Sequence, residues 1–158
     1  MKKMWIGAIA LLSLVSVLNA ESPVWIEATG VVYLNNPMDA SLEGNVLIDV
    51  TKRLQVRATL LTLELTHEFH LLLSNGARLD ALFHFFGKGK ASFYGVGGFS
   101  LITGGGATVF AIHGGPGIVL IQNRNRRMKL FLEGLLNFIT TSGASDLSVF
   151  IRAGLRFR

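Results

Sequence analysis

The last twelve residues, LSVFIRAGLRFR, alternate without interruption between apolar and other side chains. One set of alternate positions holds only apolar residues: Leu147, Val149, Ile151, Ala153, Leu155 and Phe157. The other set includes three arginines: Arg152, Arg156 and Arg158. Successive side chains of a β-strand point to opposite faces, so this period of two predicts a strand with one apolar and one basic face. Any fold of this chain must supply apolar surroundings on one side and partners for arginine on the other.

The first twenty residues have the layout of a secretory signal peptide. Lys2 and Lys3 precede an apolar run that extends from Met4 to Leu18, and the small residue Ala20 follows. The run is shorter than the roughly 20 apolar residues of a membrane-spanning helix. We therefore expect cleavage after Ala20 rather than an uncleaved anchor, with a signal peptide at 1–20 and one domain at 21–158.

The composition excludes several classes of protein. Hydrophobic residues make up 50% of the chain, yet after residue 20 no apolar run reaches the roughly 18 residues of a helical membrane span. The net charge is +5, and the bases are too dispersed to indicate nucleic-acid binding. The absence of cysteine excludes disulfides, thiol catalysis and zinc–thiolate sites. An exported β-sandwich and a transmembrane β-barrel remain.

Alternation and turn residues predict eight strands, at 24–34, 41–50, 54–61, 77–87, 91–102, 108–121, 128–140 and 147–158. These are longer than the roughly 5–6 residues usual in soluble proteins, and they match the roughly 9–11 residues of a tilted strand that crosses a bilayer. The even number is typical of bacterial membrane barrels. We expect an all-β fold, an eight-stranded antiparallel up-and-down transmembrane β-barrel after signal-peptide removal.

The connections sort into two kinds, which we expect at opposite ends of the barrel. Short turns at 51–53, 87–90 and 122–127 are expected in the periplasm, and the segments 35–40, 62–76, 103–107 and 141–146 outside. The segment 62–76 is interpreted as a strand end plus a loop. Aromatic residues near strand ends are expected in the membrane-interface girdles: Trp25, Tyr33, Phe69, Tyr94, Phe138 and Phe157.

Two positions predict departures from regular pairing. The apolar set changes phase at Leu61, which indicates a bulge or the point at which the strand leaves the membrane. Pro116 has no backbone N–H to donate, which indicates a bulge or irregular pairing. Four glycines are expected to let long side chains cross the interior: Gly95, Gly97, Gly115 and Gly117.

The polar face of the predicted strands collects equal numbers of acids and bases. The acids are Glu27, Glu43, Asp49, Asp80 and Glu133, and the bases are Arg57, Arg78, Lys129, Arg152 and Arg156. His84 and His113 lie on the same face. An eight-stranded barrel has an interior just wide enough for side chains, and a buried charge without a partner is costly. The ten residues therefore predict a barrel-interior charge network that seals the barrel.

Four stretches carry a resemblance to a known family. They are FHFFGKGKASFYGVGGFSL, FAIHGGPGIVL, LFLEGLLNF and the terminal IRAGLRFR. In order and pattern the chain resembles the small outer-membrane β-barrels of Gram-negative bacteria, the OmpA/OmpX-like and porin-family β-barrel domains. The resemblance implies a location in the cell outer membrane, contact with outer-membrane lipid and a monomeric state.

The terminal strand also resembles the signal that the barrel-assembly machinery reads during insertion. The matching positions are Arg152, Gly154 and Phe157. The resemblance departs at the last position, where the family has an aromatic or apolar residue and this sequence has Arg158.

No motif predicts an enzyme, a cofactor or a metal site. His113 and Glu133 fall on neighbouring strands, but the residue two positions after His113 is Gly115, so a hydrolytic nucleophile is missing. The HEFH segment, with His67, Glu68 and His70, is expected to be a solvated loop.

Three functions are compatible with the sequence. The favoured one is a structural or interaction protein of the outer membrane with a sealed interior. The alternatives are a narrow passive pore for ions or small solutes, and a soluble exported β-domain that binds a ligand.

Overall fold

The computed structural model describes residues 24–34, 39–65, 71–73, 76–85, 92–104, 107–122, 127–140 and 144–158. The expected signal peptide and the histidines of the HEFH segment lie outside these residues. No helix in the described part of the chain is long and apolar enough to cross a membrane.

The described residues form nine strands. They are β1 (Val24–Tyr33), β2 (Asp39–Asp49), β3 (Leu54–Leu65), β4 (Leu71–Leu73), β5 (Gly76–His84), β6 (Phe93–Gly104), β7 (Ala107–Gln122), β8 (Met128–Thr140) and β9 (Ser145–Phe157). The three-residue β4 pairs only with the end of β3. Eight strands therefore form the wall.

The wall is a closed, entirely antiparallel ring. Each strand pairs with its neighbour in chain order, β3 pairs with β5, and β9 returns to pair with β1. The first hairpin places Val24 opposite Ile48, and the last places Met128 opposite Phe157. The predicted eight-stranded up-and-down barrel is confirmed.

The alternation of β9 is the rule for most of the wall. In β9 every apolar residue from Leu147 to Phe157 at odd positions is exposed, and Arg152 and Arg156 are buried. Large apolar side chains cover the outside of the other strands as well: Ile26, Leu42, Phe83, Phe99, Ile112, Leu132 and Leu136. The outside of the barrel is thus apolar, and the inside holds the buried polar and charged side chains together with a cluster of buried apolar ones that includes Leu47, Leu82 and Phe150.

Both predicted irregularities are present. The register between β2 and β3 shifts next to Gly44, because Leu60 is an extra residue that confirms the bulge expected at the phase change. Gly115 and Pro116 pair with β6 but not with β8, and a second register shift follows at Leu120. At Pro116, β7 therefore keeps its backbone pairing with β6 and interrupts its pairing with β8.

The interpretation of 62–76 as strand end plus loop was wrong in part. β3 continues to Leu65, and β4 pairs with it over Leu71–Leu73. Local alternation is weak here because leucine stands at both odd and even positions, so sequence patterning alone underestimates the length of this hairpin.

The expected aromatic girdle is also corrected. Trp25 and Tyr94 are buried inside the barrel, and Tyr33 packs against the interior cluster. Phe138 and Phe157 are exposed on the outside, and Phe69 lies beyond the described residues. Position near a strand end does not determine which face a side chain takes, whereas odd or even position does.

Candidate functional site

The structure places all ten residues of the predicted charge network on the inward face of the barrel. Eight of them are buried: Glu27, Glu43, Arg57, Asp80, Lys129, Glu133, Arg152 and Arg156. Asp49 and Arg78 are half-buried towards the two ends. The barrel has a turn end, at the 51–53 turn, and a loop end, where Tyr33 and Asp39 lie.

Arg57 is at the centre of the network. Its guanidinium donates through Nη1 to Glu133 Oε1 at 3.0 Å and through Nη2 to Glu133 Oε2 at 2.9 Å. Nε donates to Asp80 on the adjacent strand at 2.7 Å, and Nη1 also reaches Glu27 at 3.0 Å. One planar, multidonor cation thus holds three carboxylates, a geometry that arginine supplies and lysine does not.

The arginines of β9 complete the cluster. Arg152 donates to Asp80 at 3.0 Å and to Glu133 at 3.2 Å. Arg156 donates to Glu27 at 2.7 Å and to Glu133 at 3.1 Å. The two buried arginines of β9 thus have the partners that the alternation requires, carboxylates from three other strands.

Two of these ion pairs cross the full width of the barrel. Arg57 on β3 and Glu133 on β8 are four strands apart in either direction around the eight-stranded ring. The same holds for Arg152 on β9 and Asp80 on β5. The side chains of these four residues have no solvent-exposed area. The two diametric pairs, Arg57–Glu133 and Arg152–Asp80, fill the middle of the lumen.

Neutral side chains support the network, and the charge-based prediction missed them. Tyr94 donates its hydroxyl to Glu133 at 2.8 Å and accepts from Arg156 at 3.0 Å. Asn45 donates to Glu27 at 3.0 Å. The ring of Phe131 lies 4.2 Å from the Arg156 guanidinium carbon, a cation–π distance. The same alternation that selected the charges would have placed these residues inside.

His113 belongs to the network through Asp80. Its Nε2 lies 2.6 Å from Asp80 Oδ1, and its side chain is buried. His84 lies nearer the turn end, with Nε2 2.8 Å from Gln55 Oε1. Both histidines are thus held in place by neighbouring polar side chains.

Glycines give the long side chains room, although not all the predicted ones do. A Cβ at Gly117 would overlap the Tyr94 ring, and one at Gly98 would overlap Asp80 and His113. A Cβ at Gly115 would instead meet the backbone of Gly134, so that glycine lets β7 and β8 approach. Gly95 and Gly97 do not have the expected role, because a Cβ at Gly97 meets nothing within 4 Å and one at Gly95 meets Phe85.

The expected assembly-signal residues lie on both faces of β9. Arg152 points inward and Phe157 outward. A Cβ at Gly154 would overlap the backbone of Ala28 and Thr29, so this glycine permits the close approach of β1 and β9 where the ring closes. Recognition by the assembly machinery stays a prediction for these three positions.

The interior changes towards its two ends. At the turn end, Trp25 donates to Asp49 at 3.3 Å and lies beneath Lys129, whose Nζ is 4.6 Å from the ring centre. At the loop end, Arg78 donates to Tyr33 at 3.3 Å and to Glu43 at 2.5 Å. Beyond Arg78 the side chains separate around a cavity of about 220 Å³.

The described part of the lumen contains no metal-binding arrangement. Within the described ranges, no three histidine, aspartate or glutamate side chains are placed to bind one ion. Chemically, the buried carboxylates are held by guanidinium groups, and the arrangement is one of mutual neutralisation.

Proteins of known structure share this fold, although the sequence comparisons give no match. No protein-family description matches the chain, and no curated protein sequence matches it significantly. Among solved structures, the N-terminal β-barrel domain of Pseudomonas aeruginosa OprF has a TM-score of 0.55 and 19% identity, covering 85% of this chain and 96% of that one. Neisserial surface protein A has a TM-score of 0.61 and 14% identity, covering 85% and 94%.

A designed protein also shares the architecture. The de novo designed TMB2.3 has a TM-score of 0.52 and 13% identity, covering 89% of this chain and 98% of the design. The OprF domain and the Neisserial protein are eight-stranded outer-membrane barrels. At these identities the likeness establishes the fold, and the chain therefore has the fold of the small OmpA-like outer-membrane barrels.

Proposed function

We propose that this protein is a small integral barrel of the outer membrane whose interior is sealed, and that it acts as a structural or interaction protein rather than as an enzyme. The observation that carries the proposal is the bidentate Arg57–Glu133 pair, which crosses the lumen with both side chains fully buried. A transport path along the axis would have to separate these groups.

The energetics favour a closed interior. Removing one partner from a buried ion pair typically costs about 3–5 kcal/mol, because the other charge is left uncompensated. Glu133 receives donors from Arg57, Arg152 and Arg156, so opening a path past it disturbs several pairs together. The network therefore resists partial rearrangement.

The outside of the barrel supports placement in a lipid bilayer. Large apolar side chains are exposed around the wall, including Ile26, Ile112 and Leu136, each with more than half of its surface accessible. In water such a continuous apolar band would promote aggregation. In a membrane it is the expected lipid-facing surface. The solved barrels of similar fold support the outer membrane as that location.

A hydrolytic role is not supported. His113 is engaged by Asp80 inside the wall, and Gly115 occupies the position where a nucleophile would be needed. We expect instead a lipid-facing, monomeric scaffold that the barrel-assembly machinery inserts. The outer loops of the protein would be the surface that partners contact.

The proposal is tested by electrophoresis and by conductance on the same preparation. We expect the protein in the outer-membrane fraction, with migration in SDS that changes only after boiling, and no ion conductance in planar bilayers. Stepwise single-channel currents would overturn the sealed interior and support a narrow passive pore. A periplasmic protein that is soluble without detergent and shows no heat-dependent shift would overturn the membrane assignment.

A further inference from the structure

The loop end of the lumen contains a cavity that the charge network does not use. It has a volume of about 220 Å³, enough to hold a small molecule. Its polar lining residues are Tyr33, Asp39, Glu64, Arg78, Ser100 and Asn137. The cavity lies above the Arg78–Glu43 pair, and its inward end is closed by the network.

The cavity presents hydrogen-bond acceptors that lack donors. Asn137 is 7% exposed, and its Oδ1 has no partner among the described residues. Asp39 Oδ1 is likewise buried and without a donor in this part of the structure. Buried acceptors are costly when unpaired. These two oxygens therefore favour a ligand that is rich in donors.

The charge of the lining is negative. Asp39 and Glu64 form no ion pair with any cation that the structure describes. The one base of the lining, Arg78, donates through Nη1 to Glu43 and through Nη2 to Tyr33, so its charge is already balanced below the cavity, although its buried Nε has no acceptor among the described residues. A cation entering from the loop end meets two carboxylates that the inner network does not neutralise.

The opposite wall is apolar except for Asn137 on β8. Val109 and Ala111 on β7 and Ile139 on β8 line the cavity across from the acidic residues of β2 and β3. A ligand that fits both walls has one charged end and one hydrocarbon end. The combination of unpaired acceptors, negative charge and an apolar wall defines its chemistry.

We propose that this cavity binds a small primary ammonium compound that carries a short apolar chain. The ammonium group has three donors and no acceptor, so it can satisfy Asp39 and Asn137 oxygens while its charge is balanced by Asp39 and Glu64. The hydrocarbon chain lies against Val109 and Ile139. This binding activity goes beyond the proposed structural role of the barrel and does not require the lumen to conduct.

Other small ligands fit less well. A divalent cation prefers six or more oxygen ligands or an octahedral shell, and the described lining offers two carboxylates on one wall only. An anion would face Asp39 and Glu64 while Arg78 is held by Glu43. A neutral alcohol would fill the cavity without balancing the negative charge of Asp39 and Glu64.

The experiment uses the folded protein in detergent micelles and n-butylammonium as the probe. Titration is followed by NMR of the Asn137 side-chain amide and the Ala111 methyl group. We expect saturable shifts at both positions, at least tenfold weaker binding of n-butanol, and no saturable binding of butyrate. Equal binding of butylammonium and butanol, or the absence of saturable shifts, would overturn the proposal.

Matched variants test the residues. The double variant Asp39→Asn with Glu64→Gln is expected to weaken butylammonium binding at least tenfold. The control is Asp146→Asn, because Asp146 is an exposed acid on β9 near the same end that does not line the cavity. Equal loss in the control would indicate non-specific attraction to the loop end and overturn the site. Heat-dependent migration verifies folding of each variant, and the probe series on the unmodified protein decides the question by itself.

Discussion

The middle of the lumen and its loop end are lined by the same strands but differ in how their charges are neutralised. In the middle, Arg57 and Arg152 reach across the barrel to Glu133 and Asp80, and no side-chain area of these residues is exposed. At the loop end, Arg78 binds Glu43 while retaining 11% side-chain exposure, and an open cavity begins beside it.

The difference shows that alternation alone does not fill a barrel. Every second residue points inward in both regions, but the middle has arginines long enough to span the lumen. The loop end has the shorter side chains of Asp39, Ser100 and Asn137. Long cations produce a cross-linked interior, and short polar side chains leave a space.

The largest expected effect comes from removing the acid that most arginines share. Glu133→Ala leaves Arg57, Arg152 and Arg156 with fewer acceptors in the buried middle of the lumen. We expect a loss of about 3–5 kcal/mol in the free energy of unfolding. Urea unfolding in phospholipid vesicles measures it. The control is Glu64→Ala at the cavity, for which we expect a change within about 0.5 kcal/mol; similar losses in both variants would contradict the distinction between the two regions.

The next largest effect is expected on the outer surface, where a position beside the middle of the lumen is compared with one near the loop end. Ile151→Arg places a charge outside the wall beside the network, and we expect a cost of about 2–4 kcal/mol in a bilayer. Leu147→Arg, at the beginning of β9 near the loop end, should cost only about 0–1 kcal/mol. Unfolding in vesicles measures both costs. No difference between the variants would indicate that the apolar band does not face lipid.

A smaller effect tests the space between the crossing side chains. Gly117→Ala adds a methyl group that overlaps the Tyr94 ring, whose hydroxyl binds Glu133. Overpacking of this kind typically costs about 1–3 kcal/mol. Gly97→Ala serves as the control, because a Cβ there has no neighbour within 4 Å. Denaturant midpoints that fall equally in both variants would mean that strand propensity, rather than the clash, determines the cost.

The smallest expected effect is at the boundary of the two regions. Arg78→Met removes the partner of Glu43 next to the cavity, and Arg152 remains 3.5 Å from that carboxylate. We expect a loss of about 1 kcal/mol, near the range of partly exposed pairs. Arg57→Met in the middle should cost at least twice as much in the same unfolding assay. An equal cost would show that the ion pair at the loop end is shielded from solvent as strongly as the pairs in the middle.

The strand number, the topology and the interior position of the charges can be predicted from the sequence, because all three depend on the alternation of apolar and polar residues with a period of two. β9 illustrates this, since Arg152 and Arg156 are buried and Ile151 and Leu155 are exposed as the pattern predicts. The register of strand pairing and the choice of ion-pair partners cannot be predicted in this way. Nothing in the spacing of Arg57 and Glu133 indicates that they meet, because their contact depends on ring closure over 76 residues.

The errors have physical causes as well. An aromatic residue near a strand end predicts an interfacial position for Tyr94, yet its even position turns it inward to Glu133. Leu71–Leu73 form β4 where a loop was expected, because their backbone pairs with the end of β3, a cross-strand interaction that side-chain patterning does not report. The cavity was not predicted, since its lining residues come from seven different wall strands and meet only when the ring is in place.

The distribution of the network along the chain also has a consequence for biogenesis. Glu133, Arg152 and Arg156 all belong to the last hairpin, whereas Glu27, Glu43 and Asp80 lie on earlier strands with Arg57 and Arg78. The first six wall strands therefore hold a surplus of carboxylates, and the last two bring the surplus of guanidinium groups. The carboxylates and arginines of these eight residues are equal in number only when the final hairpin is in place. A barrel that lacked this hairpin would bury carboxylates without enough cations to pair with them, which is energetically costly.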